Sequence, residues 1–125
     1  MIEFFASLLT ALVALEHLYI LWIEMFAWET KGKRTFKTIP DDLFARTKGM
    51  AANQGLYNGF LSAGLIWSFL ISDVIWATNV RLFFLTCVVI AGIFGAVTTT
   101  KKIFFIQALP AILALLFVLI GFIST

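Results

Sequence analysis

The residues best suited to chemistry in this chain are two carboxylates and an imidazole inside an apolar run. The run "LVALEHLYILWIEMFAW", residues 12–28, carries Glu16, His17 and Glu24 and no lysine or arginine. A charged group at the centre of a membrane helix costs about 2.5–3.5 kcal/mol on insertion scales. A proton, a polar partner or water must therefore compensate these groups. At about 100° per residue the three fall in one sector of a helix, which predicts that they face a protein interior rather than lipid.

A second polar stripe lies in the next apolar segment, "AANQGLYNGFLSAGL". Asn53, Gln54, Tyr57 and Asn58 share one sector of a helix at about 100° per residue. Counting from the shared membrane surface, we expect Glu24 opposite Asn53 and Gln54, and His17 opposite Tyr57 and Asn58. Gln107, near Pro110 in the last apolar segment, is expected at the level of Glu24. Gly55, Gly59 and Ala63 lie on the other side of this helix and predict a face for close helix packing.

The amino-acid composition indicates that the helices carrying these polar residues lie in a membrane. The chain has 125 residues, of which 62% are hydrophobic and 13% charged, against roughly 45–50% and about 25% in soluble domains. The apolar residues come in four runs of about 20, the length a helix needs to cross a bilayer. We predict an all-α, polytopic membrane four-helix bundle as a single domain over residues 1–125. Its spans are residues 2–28, 50–71, 81–99 and 103–123, joined after the first by a cytoplasmic loop, residues 29–49.

The basic residues predict the orientation. Of the nine, eight fall in the first and third loops and only Arg81 falls at the edge of the second. By the positive-inside rule the first and third loops are cytoplasmic and both termini are on the other side. The positions of the basic residues are thus explained by membrane topology, and nucleic acid is not an expected partner. Glu3 is the only charged side chain before the first run, which argues against a cleavable signal peptide. We expect a multi-pass protein of a bacterial inner membrane.

Several other features have plainer interpretations. Cys87 is the single cysteine, so no intrachain disulfide or paired-cysteine metal site is expected, and an inert buried thiol is. The Glu-x-x-His spacing of di-iron bundles is missing, and no metal or other cofactor is predicted. In "TIPDDLFARTKGM", Pro40 and Asp41 indicate a helix start, and the following Leu43 and Phe44 suit the membrane interface. Arg81 and the four tryptophans are typical of interfacial anchors.

Three long motifs resemble one family. The stretches "EHLYILWIEMFAW", "ANQGLYNGFLSAGLIW" and "AGIFGAVTTTKKIFFIQALPAILAL" are similar to those of the DUF1304 family of small integral membrane proteins. The resemblance covers nearly the whole chain and implies a four-helix membrane protein without implying an activity. It adds Tyr19 to the polar positions already named. The candidate residues for binding a ligand or protons are Glu16, His17, Tyr19, Glu24, Asn53, Gln54, Tyr57, Asn58 and Gln107.

Three functions fit these residues. In the first, a carboxylate and an imidazole bind or transport protons or a small molecule between the first two helices. In the second, the same groups do acid–base chemistry on a lipophilic substrate such as a sterol, quinone or isoprenoid. In the third, a structural or accessory protein uses its polar groups only to specify helix pairing. The expected partners are the lipid bilayer, a small-molecule or lipid ligand, and further copies of the chain.

Overall fold

Long apolar runs make this chain almost entirely helical, even though glycines lie inside three of the long helices. The computed structural model describes all 125 residues and contains no strand. It has six α-helices, of which α1, α4 and α5 are the longest. They are α1 (Ile2–Phe26), α2 (Lys33–Thr35), α3 (Asp41–Arg46), α4 (Lys48–Leu70), α5 (Val74–Thr98) and α6 (Leu109–Ile123). Single π-helical turns occupy Trp28–Gly32 and Phe104–Ala108. The all-α prediction is therefore confirmed.

Three segments are long and apolar enough to cross a membrane, namely Ile2–Phe26, Val74–Thr98 and Phe104–Ile123. Helix α4 occupies the place of the predicted second span, but its amides and small polar residues keep its hydropathy below that level. The predicted loop, residues 29–49, contains two further helices, α2 and α3. The helix count is thus six rather than four.

Helix ends follow local chemistry. Helix α5 begins at Val74 rather than near Arg81, because the Asp73 side chain accepts a hydrogen bond from the Trp76 backbone N–H at 2.9 Å. Arg81 consequently lies inside the helix instead of at its edge. The π-helical turn Phe104–Ala108 ends two residues before Pro110. Proline has no N–H to donate, and the helical hydrogen-bond pattern changes just before it.

The chain divides into two compact units, and both boundaries fall within helices. The first unit comprises Met1–Glu16 with Leu61–Thr125. Its core is built from small and branched side chains of the four long segments. The buried members are Ala6, Val13, Ala14, Leu65, Leu85, Val88, Ala111, Ala114 and Val118. The Ser62 hydroxyl adds a hydrogen bond to the carbonyl of Ala14 at 2.7 Å.

The second unit, His17–Phe60, is organised at one end around Trp28. The indole ring packs against Phe44, with centroids 4.9 Å apart, and against Phe36, at 5.4 Å. Its Nε1 donates to the Thr47 hydroxyl at 3.1 Å. The expected helix start after Pro40 is confirmed by α3. Phe44, however, is fully buried against Trp28, so it is not available to the membrane interface as predicted.

Candidate functional site

The structure brings two of the predicted polar residues into contact. Asn58 Nδ2 on α4 donates a hydrogen bond to Glu24 Oε2 on α1, at 2.9 Å. Glu24 is only 5% exposed. The structure has one ion pair, between Lys48 and Glu29 at the surface. A buried carboxyl group of Glu24 is therefore held by a neutral amide, with no cation within ion-pair distance.

Two glycines of α4 allow this contact. A Cβ added at Gly55 would lie 2.9 Å from the Cβ of Glu24 and 2.7 Å from Cγ of Met25. A Cβ at Gly59 would lie 2.5 Å from Cδ1 of Leu21. All three distances are shorter than real Cβ contacts, so α1 and α4 approach through glycine at these positions. The glycine face predicted for the other side of α4 is in fact the face that contacts α1 beside Glu24.

Because α4 turns its glycine face toward α1, the polar residues that meet differ from those expected. Asn53 and Gln54 are exposed, and so is Tyr57, at 61%. Glu24 therefore meets Asn58 rather than Asn53 and Gln54, which were expected opposite it. The physical reason is that close glycine packing, rather than the centre of the polar stripe, selects the face that α4 turns toward α1.

The remaining candidates of the second unit have contrasting surroundings. His17 is buried, at 1% exposure, on the same helix as Glu24. Tyr19 is 48% exposed and stacks on Trp22, with ring centroids 5.8 Å apart. Tyr19 and Tyr57 thus lie on outer surfaces, and His17 and Glu24 lie inside.

Glu16 and Gln107 belong to the first unit. Glu16 is half-buried, and its Oε1 atom is buried without a hydrogen-bond partner. A buried polar atom without a hydrogen-bond partner lowers the free energy of unfolding by about 1–3 kcal/mol. Glu16 therefore destabilises the fold in the absence of a ligand or proton on this oxygen. Gln107 is half-buried in the π-helical turn before α6.

Arg81, in the first unit, contacts several protein side chains that the sequence did not predict as its partners. Its Nε donates to the hydroxyl of Ser68 at 3.3 Å, and its guanidinium lies 4.7 Å from the ring centroid of Phe69. The carboxylate of Glu3 interacts with it electrostatically. Arg81 is thus half-buried among protein groups rather than a purely interfacial anchor. The Ser68 hydroxyl itself donates to the Leu65 carbonyl at 2.6 Å, within its own helix, so nothing in the sequence indicated its contact with Arg81.

No group of three or more His, Cys, Asp or Glu side chains is arranged to hold a metal ion. Cys87 is half-buried rather than buried. The buried or half-buried titratable groups among the candidates are Glu16 and Glu24, two of the three glutamates of α1, and the imidazole of His17.

Comparisons with known proteins agree with the motifs noted above. Residues 11–119 match the family model described as "Protein of unknown function (DUF1304)". The uncharacterized protein YpaA of Lactococcus lactis subsp. lactis (strain IL1403) is 36% identical over 111 residues, which is 87% of this chain and 92% of YpaA. No solved structure matches the chain. The chain therefore belongs to the DUF1304 family.

Proposed function

We propose that this protein is a multi-pass membrane protein that binds and exchanges protons, or a small cation, at Glu16 and Glu24 of α1. In this proposal α1, α4, α5 and the segment Phe104–Ile123 are four spans. Both termini lie on the non-cytoplasmic side, and the basic loops face the cytoplasm of a cell membrane. The three long apolar helices and the eight-to-one division of basic residues support this placement.

The hydrogen bond between Glu24 and Asn58 carries the functional part of the proposal. Intramembrane carboxyl groups are costly, and they are typical of ion and proton pathways. Glu24 is buried and has a single neutral donor. An amide donor can hold the carboxylate in one orientation while its second oxygen accepts a proton or contacts a cation. Asn58 is in this view a positioning residue, and Glu24 is the group that binds.

Glu16 and His17 extend the same proposal along α1. Glu16 has an oxygen that no donor of the protein reaches, so it has free capacity for a proton or a cationic ligand. His17 is the one imidazole of the chain and it is buried. An imidazole can accept and release protons near neutral pH. We assign both residues to proton exchange with a small-molecule or cationic ligand.

Infrared difference spectroscopy tests whether Glu24 takes up a proton. The protein is reconstituted in lipid, the pH is stepped, and the carboxyl C=O band is compared with that of Glu24→Gln. We expect the wild type to show a band that Glu24→Gln lacks. The matched control is Glu29→Gln, because Glu29 is exposed and paired with Lys48; it should keep the band. A spectrum unchanged by Glu24→Gln would show that Glu24 does not exchange a proton.

Vesicle flux tests the transport part separately. Protein is reconstituted in liposomes that contain a pH-sensitive dye, and a proton gradient is imposed. We expect proton movement above that of protein-free vesicles, reduced at least several-fold by Glu24→Gln and left unchanged by Glu29→Gln. Equal rates in wild-type and protein-free vesicles would contradict transport, and would leave binding or helix pairing as the role of the site.

A further inference from the structure

The first unit has a second feature that the polar residues of α1 do not involve. An open groove of about 410 Å³ lies between the end of α5 and the start of the last helical segment. This volume is within the usual range of roughly 300–1,000 Å³ for sites that bind small molecules. Its walls are apolar apart from one lysine. The lining residues are Ile93, Ala96, Val97, Lys101, Phe104 and Phe105.

Close packing beside the groove shapes its walls. A Cβ added at Gly92 would lie 2.8 Å from the backbone nitrogen of Ala108, so the two segments are almost in backbone contact there. The π-helical turn that begins at Phe104 follows the chain reversal. Phe104 and Phe105 stand at 88° to each other, with centroids 5.5 Å apart. Two aromatic rings in an edge-to-face arrangement thus line an otherwise aliphatic groove.

The charge at this mouth has no counterpart in the same part of the chain. Lys101 and Lys102 are both exposed, and neither forms an ion pair. From Val74 to the end of the chain, at Thr125, the sequence contains no aspartate or glutamate. Two adjacent cations therefore stand at one end of an apolar groove, with no acidic side chain on the same helices to neutralise them.

We propose that this groove binds an anionic phospholipid, with an acyl chain along the apolar walls and the phosphate at Lys101 and Lys102. Basic pockets at the cytoplasmic ends of membrane helices suit anionic headgroups. A soluble anion would use the lysines but not the walls, and a neutral lipid would use the walls but not the lysines. The inference rests on the membrane placement proposed above, and it is independent of proton exchange at Glu24.

Native mass spectrometry of the intact protein tests this inference. The protein is incorporated in nanodiscs of equal parts phosphatidylglycerol and phosphatidylcholine, released, and its retained lipids are counted. We expect the wild type to retain phosphatidylglycerol at least several-fold over phosphatidylcholine. The double variant Lys101→Gln/Lys102→Gln should lose that preference. The control Lys33→Gln/Lys37→Gln removes the same charge elsewhere and should keep it.

Two further variants keep the result interpretable. Lys101→Arg/Lys102→Arg retains the charge and should retain the preference, which excludes a folding defect as the cause. Ala96→Phe narrows the groove and should lower the retention of both lipids. Glycerol phosphate, which lacks acyl chains, should not compete. An unchanged lipid ratio in the glutamine double variant, or full competition by glycerol phosphate, would overturn the proposal. Glu24→Gln should leave the ratio unchanged, so the two proposals can fail separately.

Discussion

Glu16 and Glu24, two of the three glutamates of α1, have the same carboxyl group but different surroundings. Glu24, in the second unit, is buried and accepts a hydrogen bond from Asn58 at 2.9 Å. Glu16, in the first unit, has a buried oxygen with no hydrogen-bond partner. The sequence predicts for both residues an inward position and a need for a polar partner. Glu24 is the one of the two with a side-chain hydrogen-bond donor inside the protein.

The two carboxyl groups are therefore expected to affect stability differently, although the sequence predicts the same role for both. An intramembrane carboxyl group with a donor contributes to pairing of two helices, and measured interhelical hydrogen bonds of this kind are worth about 0.6 kcal/mol on average. One without a donor only lowers stability, by about 1–3 kcal/mol, unless a ligand or proton compensates it. Replacing each group should therefore change stability in opposite directions.

The largest effect is expected from a side chain inserted beside Glu24. Gly55→Leu places a Cβ at 2.9 Å from Cβ of Glu24 and should lower the free energy of unfolding by about 3 kcal/mol, because overpacking forces the backbones apart. Thermal unfolding in detergent micelles measures it. Gly49→Leu is the matched control, since a Cβ there has nothing within 4 Å. Equal losses for both variants would contradict close packing at Gly55.

Removal of the donor should have a smaller effect. Asn58→Leu leaves the buried carboxyl group of Glu24 without its hydrogen bond and should cost about 1.5 kcal/mol. The exposed Asn53 provides the control, and Asn53→Leu should be nearly neutral. In a double-mutant cycle, adding Glu24→Leu to Asn58→Leu should recover most of the loss. A coupling energy near zero would mean that the hydrogen bond contributes nothing.

The smallest effect should have the opposite sign. Glu16→Leu removes a buried oxygen that has no partner and should raise the free energy of unfolding by about 1 kcal/mol in detergent without added ligand. The same unfolding assay measures it, and Glu24→Leu, which removes an accepted hydrogen bond, should show no such gain. Destabilisation by Glu16→Leu would indicate that Glu16 has a structural partner, and the contrast between the two residues would then be wrong.

The sequence was sufficient for the features that depend on composition and periodicity. The all-α class follows from the length of the apolar runs, and the apolar helices α1 and α5 follow from their hydropathy. The buried position of His17 and Glu24 agrees with their shared sector on α1 and with the cost of exposing charged groups to an apolar solvent. These are properties of one helix and its surroundings, so they depend only on the local sequence.

Only the tertiary structure decided which polar residues meet. The polar stripe of α4 predicted Asn53 and Gln54 opposite Glu24, but Asn58 is there, because Gly55 and Gly59 allow α4 to approach α1 on their side. A helix can present its polar groups in several rotations, and in this structure the face with Gly55 and Gly59 is the one that packs against α1. The lack of a donor for Glu16 is likewise a property of its neighbours, which no pattern within α1 contains.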